Sequence, residues 1–281
     1  METEITSIET PKSTTRNQKL DRFIQRYYDA YREAAAFFQT QLFSEIGKPA
    51  REYLLTRGIS AESTKRFELG FAPDGRDSLC RYLLSKGFTL SELLSFYLIR
   101  KTAEDSEIDV FRDRLMFPIM DLDGNVIAFG GRTLDGSQPR YMNTPETIAY
   151  SKGQNLYALH LAKNTAEKRL ILCEGYLDVI MMHQVGFTNT VCCLGAGVTD
   201  QQGSLLARYC DEVLLLFDAD VAGQKGAERA MRMLSSSGMK TRVPILEGGK
   251  DPDEVIRFLG KEKMKQILSA APECSTDKPP A

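Results

Sequence analysis

Acidic side chains follow three apolar runs in the second half of the sequence, and each run has the length and composition of a buried strand. The acids are Glu174 with Asp178 after the first run, Asp218 with Asp220 after the second, and Asp251 with Asp253 after the third. Because the carboxyl ends of parallel strands meet at one edge of a sheet, we expect these side chains to converge there. Two carboxylates about 4 Å apart repel by about 4 kcal/mol at an effective dielectric of about 20, so a bound cation is the economical explanation for such a cluster.

The ligand type predicts which ion is held. All six candidate ligands are carboxylates, and neither histidine of the chain stands in motif spacing with them. An all-oxygen set suits a hard cation such as Mg²⁺ or Mn²⁺ and disfavours zinc. Since magnesium commonly joins one or two carboxylates to substrate phosphates, the cluster indicates nucleotide or phosphodiester chemistry.

Each acid also has a purely structural interpretation. Asp220 or Asp253 would make a good N-cap for the helix that follows it, and Asp178 would make a solvated helix residue. We favour the metal hypothesis because E-G-Y-x-D, D-x-D-x-x-G and D-P-D-E occur together, each after a different predicted strand.

From Leu170 onward, apolar segments alternate with segments of helical periodicity. The predicted strands are 170–173, 190–194, 213–217 and 242–246, and the helices that follow them are 176–185, 200–210, 222–235 and 253–259. This alternation is typical of a parallel sheet covered by helices on both faces.

The first half of the chain has a different pattern. Apolar residues recur at helical spacing from about Lys19 to Ile46, which predicts a long amphipathic helix that packs on its own domain or binds a partner. The stretch RLMFPIMDLDGNVIAFGGR predicts two strands joined by a turn at Asp123 and Gly124. Residues 1–18 lack a packing period and are rich in Thr, Ser and charge, so we expect a disordered leader.

Composition limits the classes of protein. The 281 residues are 42% hydrophobic and carry a net charge of −2, so any nucleic-acid surface must be local. The six cysteines include no C-x-x-C pair, which favours reduced thiols in a cytoplasmic protein and argues against a structural zinc site. No apolar run approaches the roughly 20 residues that span a bilayer, and the N-terminus does not resemble a signal peptide, so we expect no membrane association.

Several motifs carry a resemblance to a known family. CEGYLDVI and FDADVAGQKGAERA resemble the two acidic motifs of the toprim fold, which bacterial primases share with type IA and type II topoisomerases. Upstream, YLLTRGISAESTKRFELGFAP, RLMFPIMDLDGNVIAFGGR, PRYMNTPET and SKGQNLYAL resemble successive motifs of the RNA polymerase core of DnaG-type bacterial primases. The resemblance covers about residues 20–260, in the family's order.

The resemblance implies an α/β fold, in which a toprim parallel sheet flanked by helices is preceded by a mixed α/β basic subdomain. The expected divisions are a leader at 1–18, the basic subdomain at 19–168, the toprim subdomain at 169–260 and a short helical or disordered tail at 261–281.

The implied activity is template-directed synthesis of short RNA primers from nucleoside triphosphates on single-stranded DNA, with two or more Mg²⁺ or Mn²⁺ ions. By motif position, Asp178, Asp218 and Asp220 would be the main metal ligands, supported by Asp251 and Asp253. Glu174 would act as a ligand or as a general acid or base. The positions that match the family's nucleic-acid and nucleotide contacts are Arg112, Arg114, Arg132, Arg140, Asn143 and Lys152.

Two rival functions stay open. A toprim nuclease would share the acidic motifs, although the motifs upstream of Leu170 argue against it. A non-catalytic module that binds single-stranded DNA or nucleotides would tolerate loss of the acids, whereas a metal-dependent polymerase would not. The zinc-ribbon and helicase-binding domains of a full-length primase have no counterpart in this sequence, so we expect weak initiation, no zinc and no helicase docking through this chain. We expect a monomer in the cytoplasm, associated with the nucleoid at replication forks.

Overall fold

The computed structural model describes residues 12–165, 167–195 and 197–274. The α-helices of this part of the chain are α1 (Lys12–Phe43), α2 (Lys48–Thr56), α3 (Ala61–Arg66), α4 (Ser78–Ser85), α5 (Leu90–Ser95), α6 (Leu159–Ala162), α7 (Tyr176–Gln184), α8 (Asp200–Leu206), α9 (Val221–Ser236) and α10 (Pro252–Ser269). The strands are β1 (Gly70–Ala72), β2 (Ile99–Lys101), β3 (Glu107–Asp109), β4 (Arg114–Met120), β5 (Val126–Thr133), β6 (Tyr141–Asn143), β7 (Leu156–Tyr157), β8 (Arg169–Cys173), β9 (Thr190–Cys193), β10 (Glu212–Leu215), β11 (Lys240–Arg242) and β12 (Glu273–Cys274).

The first half of the chain is built on an antiparallel sheet in the order β1-β4-β5-β6. The predicted hairpin is confirmed: β4 and β5 are joined by a turn in which Gly124 has a φ of 87°. Every residue of these two strands is buried, because α1 covers one face of the sheet and the second half of the chain covers the other. The antiparallel sheet therefore lies between α1 on one side and the second half of the chain, including α7, on the other.

The long amphipathic helix packs on its own subdomain, as one of the two interpretations predicted. Tyr27, Tyr31 and Phe38 are buried in a cluster with Phe129 of β5. The helix begins at Lys12, so the predicted disordered leader of residues 1–18 is wrong for residues 12–18, and residues 1–11 lie outside the described part. Once a helix is anchored by packing, each further residue adds a hydrogen bond without a new nucleation cost, which explains the extension.

The second half forms a six-stranded sheet in the order β12-β11-β10-β8-β9-β7. The four central strands are parallel, and the edge strands β7 and β12 run antiparallel to them. Helices α7 and α10 contribute buried residues to the core on one face, and α8 and α9 to the core on the other. This architecture confirms the predicted α/β class, with a parallel sheet covered by helices and preceded by a mixed α/β subdomain.

Two predictions near the C-terminal end need correction. The fourth strand spans Lys240–Arg242 rather than 242–246, because its pairing stops before Pro244, which has no N–H to donate. The segment predicted as a short helical or disordered tail from residue 261 is helical as far as Ser269, but it is packed on the protein. Met264 and Ile267 of α10 are buried in the main core, and β12 pairs with β11, whereas residues 275–281 lie outside the described part.

None of the helices in the described part of the chain is long and apolar enough to cross a membrane.

Candidate active site

A crevice of about 530 Å³ lies at the carboxyl edge of the parallel sheet, beside the antiparallel sheet. Its charged lining comprises the acids Glu174, Asp178, Asp218, Asp220, Asp251 and Glu254 and the cations Arg57, Arg140 and Lys250. We call this the acidic crevice. Five of the six acids predicted from the sequence line it, because β8, β10 and the segment before α10 all end at the same edge.

Glu174 links the ends of two strands. It follows β8 directly, is exposed, and its Oε1 accepts a hydrogen bond of 2.9 Å from the backbone N–H of Asp218. This contact holds the loop after β10 against the loop after β8, so the two acidic motifs share one site.

Asp178 is buried on the first turn of α7, which excludes the interpretation of a solvated helix residue. Its Oδ2 accepts from the N–H of Gly175 at 3.1 Å. Burial raises the pKa of Asp178 well above its ordinary value, and the nearby carboxylates of Asp218 and Asp251 raise that pKa further.

Asp218 and Asp220 follow β10. Burial raises the pKa of Asp218 to about 7, with further contributions from the negative charges of Glu174, Asp251 and Asp220. Asp220 is the N-cap of α9, and its Oδ1 accepts from the N–H of Gly223 at 2.8 Å. Since this cap uses one carboxylate oxygen, capping and metal binding are compatible at Asp220.

Steric crowding explains why Gly223 is the glycine of the motif D-x-D-x-x-G. A Cβ on Gly223 would lie 2.2 Å from the carbonyl oxygen of Asp218 and 2.8 Å from Oε1 of Glu174. Only glycine therefore lets α9 begin this close to the two acids.

The last two predicted acids have different surroundings. Asp251 is the N-cap of α10, with Oδ1 accepting from the N–H of Glu254 at 2.7 Å, and it lines the crevice. Asp253 is fully buried and absent from the lining. Its Oδ2 pairs with Arg57 from the loop after α2 and with Arg257 of α10, the latter at 3.2 Å. Asp253 therefore joins the two halves of the protein.

The donor set fits a hard divalent cation in its chemistry. Burial is the largest cause of the raised pKa values of Asp178 and Asp218, and the negative charges of neighbouring carboxylates raise both pKa values further. Within the described residues, no three carboxylate, imidazole or thiol side chains are already placed to hold one ion.

The residues predicted to contact nucleic acid differ in whether they line the crevice, lie outside it, or are held by other parts of the protein. Arg140 is exposed and lines the crevice, whereas Arg112 is exposed outside it and Lys152 is half-buried outside it. Arg114 is buried, and its Nη1 donates to the carbonyl oxygens of Gly131 and Pro139.

Arg132 and Asn143 are also engaged with the protein itself. Arg132 is buried, and its guanidinium lies 4.3 Å from the ring centre of Tyr53. Asn143 lines the crevice, but its amide bonds to Tyr176 and to the backbone of Leu194.

Sequence reasoning missed two cations of the crevice. Lys250 immediately precedes Asp251, and its charge opposes the rise in the pKa of Asp218. Arg57 comes from the loop after α2, in the stretch YLLTRGIS, and no local pattern there distinguishes it from a surface arginine.

The strand order and the crevice define an α/β protein with a toprim-like acidic site. A model of the DNA primase catalytic core, N-terminal domain, matches residues 37–163, and a Toprim-like model matches residues 171–256. Among curated relatives, the DNA primase of Clostridium acetobutylicum is 40% identical over 247 residues, which are 88% of this chain and 41% of that protein. This chain thus spans about two fifths of the length of that relative.

Solved structures agree with this assignment. A DnaG primase catalytic domain bound to single-stranded DNA is 34% identical with a TM-score of 0.82, and the match covers 90% of this chain and 81% of that one. The RNA polymerase domain of Mycobacterium tuberculosis primase DnaG is 32% identical with a TM-score of 0.82, covering 88% of this chain and 84% of that one. The chain belongs to the family of DnaG-type primase catalytic cores.

Proposed function

We propose that this chain catalyses DNA-templated synthesis of short RNA primers from nucleoside triphosphates on single-stranded DNA, with release of pyrophosphate. The observation that carries the proposal is the convergence of five motif acids with Arg57, Arg140 and Lys250 in one crevice between the two sheets. Phosphoryl transfer needs this combination, because carboxylates bind the activating cations and basic groups bind the phosphates.

Asp178, Asp218 and Asp220 would hold two or more Mg²⁺ or Mn²⁺ ions, with Asp251 supporting them and Glu174 acting as a ligand or as a general acid or base. Bound there, the ions would activate the primer 3′-hydroxyl and stabilise the leaving pyrophosphate. Arg57, Arg140 and Lys250 would bind the triphosphate and the nucleic-acid backbone, since their side chains line the same crevice.

Template binding has separate support. Relatives have been solved with single-stranded DNA and with a double-stranded oligomer bearing a 6-nucleotide overhang. Both ligands present the kind of strand that a primase copies. We extend this binding to the present chain. Arg112, which is exposed in the first half of the chain, would be a further contact to the nucleic acid.

The test is ribonucleotide incorporation on single-stranded DNA and on an annealed primer with a template overhang, in Mg²⁺ and in Mn²⁺. Asp218→Asn and Asp220→Asn remove one charge each, and asparagine still caps a helix, so Asp220→Asn separates charge from capping. Asp211→Asn is the matched control, because Asp211 lies at the opposite end of β10 and is exposed.

Metal-dependent extension that both crevice variants lose and the control keeps would support the proposal. DNA binding without incorporation on either substrate would favour a binding module. Metal-dependent cleavage of the DNA instead would favour a toprim nuclease.

A further inference from the structure

Two side chains bridge the halves of the protein directly beside the acids. Tyr176, the first residue of α7, donates its hydroxyl to Oδ1 of Asn143 at 2.8 Å. Asn143, the last residue of β6, donates from Nδ2 to the carbonyl oxygen of Leu194 at 2.9 Å. One amide therefore ties the antiparallel sheet to the start of α7 and to the loop after β9.

The ring of Tyr176 has little freedom. It stacks on Phe117 of β4 with 4.9 Å between ring centres, and it meets the ring of Tyr157 edge-on at 4.7 Å. A Cβ on Gly130 of β5 would lie 2.7 Å from this ring, so the absence of a side chain there is what admits the tyrosine. The hydroxyl is thus delivered to Asn143 by a ring that is packed on three sides.

The position of Tyr176 connects this packing to the acids. It directly follows Gly175, whose N–H is held by Asp178, and Asp178 lies two residues further along α7. A shift of Tyr176 would therefore move the first turn of α7 and the buried carboxylate with it.

We propose that Tyr176 and Asn143 form a positioning pair, which sets Asp178 and the loop after β9 at a fixed distance from the antiparallel sheet. The pair does not contact substrate through the groups that make these bonds. This inference rests on the proposed polymerase function, and it gives Asn143 a role different from the nucleic-acid contact that the family resemblance implies.

Tyr176→Phe tests the pair with little disturbance, because it removes one hydroxyl and keeps the packed ring. Asn143→Ala and the double variant complete a double-mutant cycle. The matched control is Tyr150→Phe, since the hydroxyl of Tyr150 is buried and has no hydrogen-bond partner among the described residues. Thermal unfolding of each variant checks folding, and Tyr176→Phe carries the test alone if Asn143→Ala does not fold.

The readouts are kcat and the KM for primer–template, and the Mn²⁺ concentration for half-maximal binding of a fluorescent nucleotide. We expect Tyr176→Phe to lower kcat about tenfold, with KM for the template unchanged and the Mn²⁺ midpoint raised. Asn143→Ala should change kcat and the Mn²⁺ midpoint to the same extent. The kcat of the double variant should be no lower than that of the more impaired single variant. Tyr150→Phe should leave all three quantities unchanged.

Two results would overturn the pair. A raised template KM in Asn143→Ala beside an unaffected Tyr176→Phe would assign Asn143 to direct nucleic-acid contact. Unchanged kcat and an unchanged Mn²⁺ midpoint in both variants would remove any positioning role. If the unaltered protein incorporates no nucleotide, the proposed function fails, and the Mn²⁺ midpoint for nucleotide binding still tests the pair.

Discussion

Asp253 lies next to the proposed metal ligands in the motif D-P-D-E. The substitution Asp253→Asn tests whether its carboxylate binds the metal or stabilises the fold through an ion pair. In the structure, Oδ2 of Asp253 accepts from Arg57 and Arg257, and the side chain is fully buried. Replacing the carboxylate by an amide leaves two guanidinium groups side by side, with no negative charge between them. We therefore expect a loss of stability rather than a loss of metal binding.

The magnitude follows from the full burial of Asp253 and the partial burial of its two arginine partners. Removing one member of a buried ion pair typically costs about 3–5 kcal/mol. The side chains of Arg57 and Arg257 are 22% and 25% exposed, so water screens part of this loss. Asparagine also keeps an acceptor, and we expect the free energy of unfolding to fall by about 3 kcal/mol. For a protein of this size the fall corresponds to about 6–12 °C in the unfolding temperature.

Urea unfolding measures the effect, and the chain offers a matched control. Glu212 also bridges two arginines, Arg169 and Arg242, but their side chains are 44% and 31% exposed. Glu212→Gln should therefore cost only about 1 kcal/mol. The same preparations are assayed for the Mn²⁺ concentration at half-maximal primer extension, which Asp253→Asn should leave unchanged.

The opposite pattern would refute this reasoning. If Asp253→Asn unfolds like the unaltered protein but requires several-fold more Mn²⁺, Asp253 is a metal ligand, and its pairing with the two arginines is incidental. A loss of stability no larger than that of Glu212→Gln would show that burial does not strengthen the pair.

Three further predictions follow from the same geometry. Gly223→Ala should reduce primer extension by about 100-fold, because the new Cβ forces Asp218 and Glu174 apart. The control Gly203→Ala should stay active, since its Cβ would lie 3.4 Å from Oγ of Ser237. Burial lowers the pKa of His183 to about 4, so on acidification the unfolded chain binds this proton before the folded chain does. Lowering the pH from 7 to 5 should therefore reduce the free energy of unfolding by about 2 kcal/mol through His183, and His183→Gln should lack this part of the loss. Mn²⁺ affinity, measured by electron paramagnetic resonance, should rise about tenfold from pH 6 to pH 8, because Asp218, with its pKa raised to about 7, must lose a proton to bind the ion; an unchanged affinity would contradict this.

The parts of the fold that the sequence predicted are those with local causes. The strands before Glu174 and Asp218 are recognisable in the sequence as apolar runs. The parallel arrangement of these strands is then enough to bring the two acids to one edge of the sheet. The hairpin turn at Gly124 is local in the same sense. Capping is local too, since Asp220 binds the N–H of Gly223 as its predicted N-cap role requires, although α10 is capped by Asp251 rather than by Asp253.

The features that the sequence did not reveal depend on distant partners. Asp253 meets Arg57 across 196 positions of the chain, so nothing near D-P-D-E distinguishes an ion-paired acid from a ligand. Arg114 and Arg132 look like solvent-facing cations in the sequence, yet both are buried by the packing of other elements around the antiparallel sheet. Burial of a long basic side chain is a tertiary property, and periodicity within one strand does not report it.

The crevice belongs to neither half of the protein by itself. Its acids come from the parallel sheet, but Arg57 and Arg140 come from the first half, and two of the contacts between the halves lie close to an acid. Arg57 bonds to Asp253, two residues from Asp251, and Asn143 bonds to Tyr176, two residues from Asp178. Because packed interfaces repack as units rather than deform continuously, a change that loosens the contact between Asn143 and Tyr176 should alter the position of Asp178 relative to the antiparallel sheet. The arrangement of acids and cations in the crevice is therefore set by the packing between the halves as much as by the acidic motifs.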